Sequence, residues 1–263
     1  MRTSVSSRMP AGMLAGVLAR TVLSALTTGL ALTAAISAFA QGAAAPRPAG
    51  PAPTTAERAE MKGPDLTGVY QLVPSGAALP GGLRDQGSPE EISLQPAAQA
   101  TARSKTPKDD LAKLCMPVGP FRMMAWDGNK IDVYRSPGRI TILFENYFLG
   151  HMRSIYLDRP HTPGPPLWVG DSVGRWDGET LVVDTNRFNE HSWLNSAGAP
   201  HSEDLRLTER YRLVDGGKYL EVRMTAEDPM VLTAPYTYTR YYERVNSEIQ
   251  EDICQDDLLT VQE

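Results

Sequence analysis

The 263-residue chain is short of the residues that most often announce chemistry: it has two cysteines, Cys115 and Cys254, and four histidines. Neither cysteine belongs to a C-x-x-C, which excludes a zinc ribbon and a dithiol redox motif. No H-E-x-x-H or H-x-H is present, so no metal site is expected, the alternative being one held by a convergent set of His161, His201, Asp171 and Glu203; no cofactor is expected. Beyond residue 40 no apolar run approaches 18 residues, which predicts no integral membrane segment in the mature chain. Positive charge is scarce as well. Residues 1–40 hold Arg2, Arg8 and Arg20 and no acid, so removing them moves the net charge from −5 to −8. That sign argues against nucleic acid and anionic lipid as partners.

What is present begins with an export signal. The three arginines, the apolar stretch Thr21 to Ile36 and the Ala38-Phe39-Ala40 site predict a signal peptide over 1–40, and its Arg/Ala-rich style points to a bacterial periplasm. Residues 41–63, rich in Ala and Pro, predict a disordered tether. A single β-barrel domain is expected over 64–263. In an oxidising compartment two distant cysteines most simply form one disulfide closing a long loop; a reactive or metal-binding thiol is the alternative.

The domain reads as strands joined by tight turns. Leu66–Val73 is the first strand. Two short helices follow, the second predicted from Thr106 at its N-cap to Cys115. From Lys130 onward, Ser136-Pro137-Gly138, Asp177-Gly178-Glu179 and Asp215-Gly216-Gly217 each separate two alternating segments, the hairpin signature. His151–Leu157 and Tyr236–Val245 complete about nine strands with almost no helix between them. The fold class expected is all-β: an antiparallel, calycin-like barrel.

Three constellations invite a chemical reading. Gly170-Asp171-Ser172-Val173-Gly174 is a literal G-x-S-x-G, but a strand, an Asp-Gly turn and a strand follow it where a nucleophile elbow needs a helix. Ser172 is therefore not expected to be a nucleophile, and Gly170 and Gly174 are read as sites of close backbone approach. The histidines His151, His161, His191 and His201 fall within fifty residues. His161 and His201 sit in proline-stiffened loops and are expected to face one another at a cavity mouth as an acid/base pair, with Glu203 or Glu209 nearby. Finally, Leu205, Leu207, Glu209, Tyr211 and Leu213 form one stripe of a strand. A carboxylate on such an inward stripe needs a partner, and Arg153 on the His151-Arg153-Ile155-Leu157 stripe can supply one.

The segment Gly170–Thr185, GDSVGRWDGETLVVDT, resembles the G-x-S-x-G-x-W-x-G-x-T-L-V-V-D-T core of a family of secreted bacterial β-rich proteins. Asp65-Leu66-Thr67-Gly68-Val69-Tyr70, Cys115-Met116-Pro117-Val118-Gly119, Asp158-Arg159-Pro160-His161, Pro200-His201-Ser202-Glu203 and Asp228-Pro229 extend the resemblance. It departs at Asp171, where that family commonly has His, at Tyr70 where Trp is usual, and at Phe121 where Pro is usual. The opening Asp65–Tyr70 is also similar to the first strand of lipocalin-like barrels. Neither likeness implies a reaction.

The function expected is an exported, cofactor-independent enzyme of lyase, isomerase or hydratase type, acting on a small apolar or aromatic molecule in a barrel cavity. His161, His201, Glu209 and Arg153 are its candidate catalytic residues; Asp171, Trp168, Trp193 and Glu203 are its candidate substrate contacts. The alternative is a non-catalytic small-molecule binding or carrier protein on the same barrel. The two differ in their demand on the cavity: an enzyme needs titratable groups facing each other, a carrier mainly a lined space.

Overall fold

A computed structural model describes residues 62–145, 152–252 and 254. The expected signal peptide, all but the last two residues of the tether, and His151 lie outside the described residues. Nine strands close into one barrel in sequence order. They are β1 (Gly68–Leu72), β2 (Lys130–Ser136), β3 (Arg139–Phe144), β4 (Met152–Leu157), β5 (Asp171–Asp177), β6 (Thr180–Asn186), β7 (Arg206–Val214), β8 (Tyr219–Glu227) and β9 (Tyr236–Arg244). The three hairpins lie where their turn residues place them, with Gly138, Gly178 and Gly216 all at positive φ.

One pair departs from the expected antiparallel pattern. β4 and β5 run parallel, with Ile155 opposite Ser172 and Leu157 opposite Gly174. A parallel neighbour needs a connection long enough to return the chain along the barrel, and residues 158–170 supply it. The same connection breaks the alternation of loop ends that an up-and-down barrel would have. Given these strand directions, the long connections 73–129, 187–205 and 228–235 all leave from one end of the barrel.

The glycines of the G-x-S-x-G segment have steric roles. Gly174 faces inward, and a Cβ there would stand 2.9 Å from Ile155 and 3.0 Å from Leu157. Gly170 has φ +70°, and its Cβ would lie 2.6 Å from Thr185. Both positions are closed to a side chain.

The second expected helix is two short 3₁₀ turns, Pro107–Asp109 and Leu111–Leu114. Thr106 still caps the first, its amide donating to Asp109 Oδ2 at 2.8 Å. Asp110 sits between the turns and caps the second through the amide of Ala112, so the run never becomes a continuous helix. Among the described residues the α-helices are α1 (Pro96–Ser104) and the single turn α2 (Pro120–Met123). Cys115 and Cys254 are bonded, with Cα atoms 5.7 Å apart across 139 residues of sequence. A loop of that length is worth up to about 5 kcal/mol in the chain-entropy account.

Along β7 the alternation is as the stripe predicts: Leu207, Glu209 and Tyr211 are buried, while Arg206, Arg210 and Arg212 face water. Ile131, Val133, Ile140, Ile142, Val183, Val222 and Met224 join them in a packed core.

Candidate functional site

At the centre of that core lies an ion pair. Arg153 and Glu209 are 1% and 0% exposed. Arg153 Nη1 donates to Glu209 Oε2 at 2.6 Å, and Nη2 donates to Oε1. The guanidinium also donates to Ser172 Oγ, at 2.9 Å from Nη2, and to Thr185 Oγ1, at 2.8 Å. Tyr211 donates its hydroxyl to Glu209 Oε2 at 2.6 Å, and Thr185 Oγ1 donates to Oε1 at 3.0 Å. Burial alone would lower the Arg153 pKa, but the Glu209 charge outweighs it and holds the guanidinium more firmly protonated than usual. Burial, reinforced by Glu209, pushes the Tyr211 phenol well up. Both buried carboxylate oxygens are thus engaged, which suits a structural pair more than a proton-transfer group. Ser172, the serine of the G-x-S-x-G, is one of its ligands.

The two candidate histidines are not brought together. His161 sits outside the wall, with Nδ1 3.1 Å from Asp171 Oδ2 and Nε2 2.7 Å from Asp184 Oδ1, linking β5 to β6. Asp171 also accepts from Arg159 at 2.6 Å and from the Thr162 amide at 2.9 Å. Burial opposes ionisation of Asp171, but Arg159, the Thr162 amide and His161 outweigh it and keep the carboxyl below its ordinary range. His201 instead lies buried under the barrel end, edge-on to Phe188 at 6.0 Å. Its Nδ1–H donates to the Ser202 carbonyl at 3.2 Å, and its Nε2 accepts from Ser192 Oγ at 2.9 Å. Burial lowers its pKa and keeps the ring neutral. No hydrogen bond, ion pair or ring contact joins His161 to His201 among the described residues.

The remaining candidates are equally scattered. Trp193 is buried beside His201 around a void of about 10 Å³, too small for more than a water. Trp168 packs against His191 at 5.2 Å, and Glu203 is exposed.

A larger space than that void lies at the end of the barrel from which the long connections leave. Tyr238 and Tyr242 of β9 hold α2 and the residue after it there: their hydroxyls donate to the carbonyls of Phe121 at 2.5 Å and Met124 at 3.0 Å. Phe121 packs edge-on to Tyr238, with centroids 5.0 Å apart. This fixes Arg122, whose guanidinium makes two bonds to Asp110, at 2.7 and 3.1 Å, and lies over Trp126. Asp110 belongs to the segment that the disulfide secures. A cleft of about 320 Å³ opens between Arg122, Trp126 and Asp127 on one side and Ser88, Glu90 and Ser196 on the other.

Arg240, between the two tyrosines on β9, lines the same cleft. Its side chain is 4% exposed; Nη1 donates to the Gly87 carbonyl at 2.7 Å, and Asp85 stands 3.8 Å away. Burial pushes the Asp85 carboxyl up, a rise that Arg240 offsets in part. The Arg240 Nε–H is buried and has no acceptor. In the sequence Tyr236, Tyr238, Arg240 and Tyr242 share one strand face, where an arginine ordinarily reads as solvated surface, and Ser88, Glu90, Arg122 and Ser196 carry no signal that joins them to it. The available signal was Arg240 within the Tyr236-Tyr238-Tyr242 face, an inward cation of the same kind as the inward Glu209.

Among comparisons with known proteins, no family model and no curated protein matches the sequence. Among solved structures, the chain is similar to secretory abundant heat soluble protein 4 from Ramazzottius varieornatus. That match has 14% identity and a TM-score of 0.33 over 69% of this chain and 95% of that one. A second secretory abundant heat soluble protein from the same organism matches at 10% identity and a TM-score of 0.36, over 68% and 94% of the two chains. At these values the likeness carries no argument about activity, and the barrel assignment stands on the strand pairing itself.

Proposed function

We propose that this chain is a non-catalytic small-molecule binding protein of the exported compartment, taking its ligand in the cleft at the barrel end and not in the barrel itself. The observation that carries the reading is the contrast between the two places. The interior is occupied by the Arg153–Glu209 pair and its hydroxyl partners. The cleft has a volume within the range of small-molecule sites, about 300–1,000 Å³, with polar groups fixed by the fold. Supporting the same reading, His161, His201 and Glu209 each bond separate partners, whereas an enzyme of the expected kind requires a convergent acid–base set.

The test is selection of a ligand from a small-molecule extract of bacterial culture, read by native mass spectrometry. A retained small molecule that is lost in Arg240→Lys supports the reading. Retention of nothing, or of a molecule indifferent to Arg240, overturns it.

A further inference from the structure

The cleft residues also carry a chemical class. Its charged lining is balanced: Arg122 and Arg240 supply two guanidinium groups, Glu90 and Asp127 two carboxylates. Behind each arginine stands a further acid, Asp110 at 2.7 Å and Asp85 at 3.8 Å. An anion entering the cleft gains little from cations already paired and meets the rim acids; a cation meets the guanidinium groups. Ions of either sign are therefore disfavoured.

The lining holds both donors and acceptors. Arginines only donate and carboxylates only accept, whereas Ser75, Ser88 and Ser196 around them do both. A ligand hydroxyl also does both, so adjacent hydroxyls on one ring can accept from an arginine and donate to an acid at once. Arg240 lines the cleft with its guanidinium, which the Gly87 carbonyl holds in place at 2.7 Å. Trp126, Pro89 and Ala125 add the apolar surface that the C–H face of a saturated ring would cover.

Resting on the binding reading above, we infer that the cleft takes a neutral, hydroxyl-rich ring compound, a mono- or disaccharide or a similar cyclic polyol. A volume of about 320 Å³ suits that size and excludes a long chain lying wholly within it.

Isothermal titration of the full exported chain tests the inference with D-glucose, D-galactose, maltose and trehalose, each up to about 10 mM. Glucuronate and glucosamine serve as charged counterparts of glucose. The expected result is binding of at least one neutral sugar, with glucose favoured about tenfold over both counterparts if it is that sugar. Arg240→Lys, which keeps the charge and removes the planar guanidinium fork, weakens binding about tenfold. Asp127→Ala weakens it too, and because Asp127 is exposed that variant keeps the fold if Arg240→Lys does not. Tighter binding of glucuronate or glucosamine than of any neutral sugar overturns the class while leaving the binding reading intact. So does silence toward all six compounds when the extract yields a ligand sensitive to Arg240. Silence in both experiments sinks the class and the binding reading together.

Discussion

Replacing Arg153 by Met tests the claim that the barrel interior is a structural core. The substitution removes the ion-pair partner of a carboxylate that is 0% exposed and leaves Glu209 with only the Tyr211 and Thr185 hydroxyls. Breaking a buried pair from one side costs about 3–5 kcal/mol. For a folded unit of this size each kcal/mol lowers Tm by about 2–4 °C, so a fall of roughly 6–20 °C is expected. Removing both partners in Arg153→Met/Glu209→Leu leaves no stranded charge. Thr185 Oγ1 and Ser172 Oγ, 3.1 Å apart, can still bond each other. The double variant should recover at least half of the loss. Urea titration followed by circular dichroism gives both values, provided the m-value is unchanged. A cost below about 1 kcal/mol for the single variant would refute the reasoning, as would a double variant no more stable than the single.

Other outcomes follow from the same geometry. Tyr238→Phe removes the donor to the Phe121 carbonyl and should cost about 1 kcal/mol in denaturant titration while loosening the arginine side of the cleft. Cys115→Ser/Cys254→Ser should lose up to about 5 kcal/mol, read the same way. His201 is held neutral by burial, so its folded pKa lies below the unfolded value of about 6.5. The unfolded chain binds the extra proton first, and stability should therefore fall as pH drops below about 6.5. His201→Gln should flatten that part of a stability–pH curve. Asp171 has the opposite chemistry but the same direction: its depressed carboxyl contributes stability present above about 3.9 and lost as pH falls further. Asp171→Asn should remove that share of the acid transition.

The barrel was legible because its signals are local. Asp177-Gly178 and Asp215-Gly216 fix hairpins through positive-φ residues, and the β7 alternation of Leu207, Glu209 and Tyr211 with outward arginines fixes a face. The Arg153–Glu209 pair was legible for the same reason, since each is the wrong residue for an inward stripe unless the other answers it. The parallel β4–β5 pairing was not, because the return of residues 158–170 depends on where distant strands close the barrel. His161 and His201 are parted by the wall instead, which no local signal marks: His161 bonds Asp171 and Asp184 on the outside, while His201 packs on Phe188 under the barrel end. The cleft was out of reach for a related reason: Ser88, Glu90, Arg122, Ser196 and Arg240 are brought together by β9 tyrosines clamping a helix from the far side of the sequence.

The central claim is the place of binding, and the indole N–H resonances of the tryptophans report it directly in a ¹⁵N-labelled sample. Trp126 lines the cleft, Trp193 adjoins His201, and Trp176 lies under Arg135 on β5. Titration with a fragment library should yield ligands that shift Trp126 and leave Trp193 and Trp176 in place. Ligands that shift Trp193 while Trp126 stays fixed would contradict the account and return the His201 region to the centre of the function.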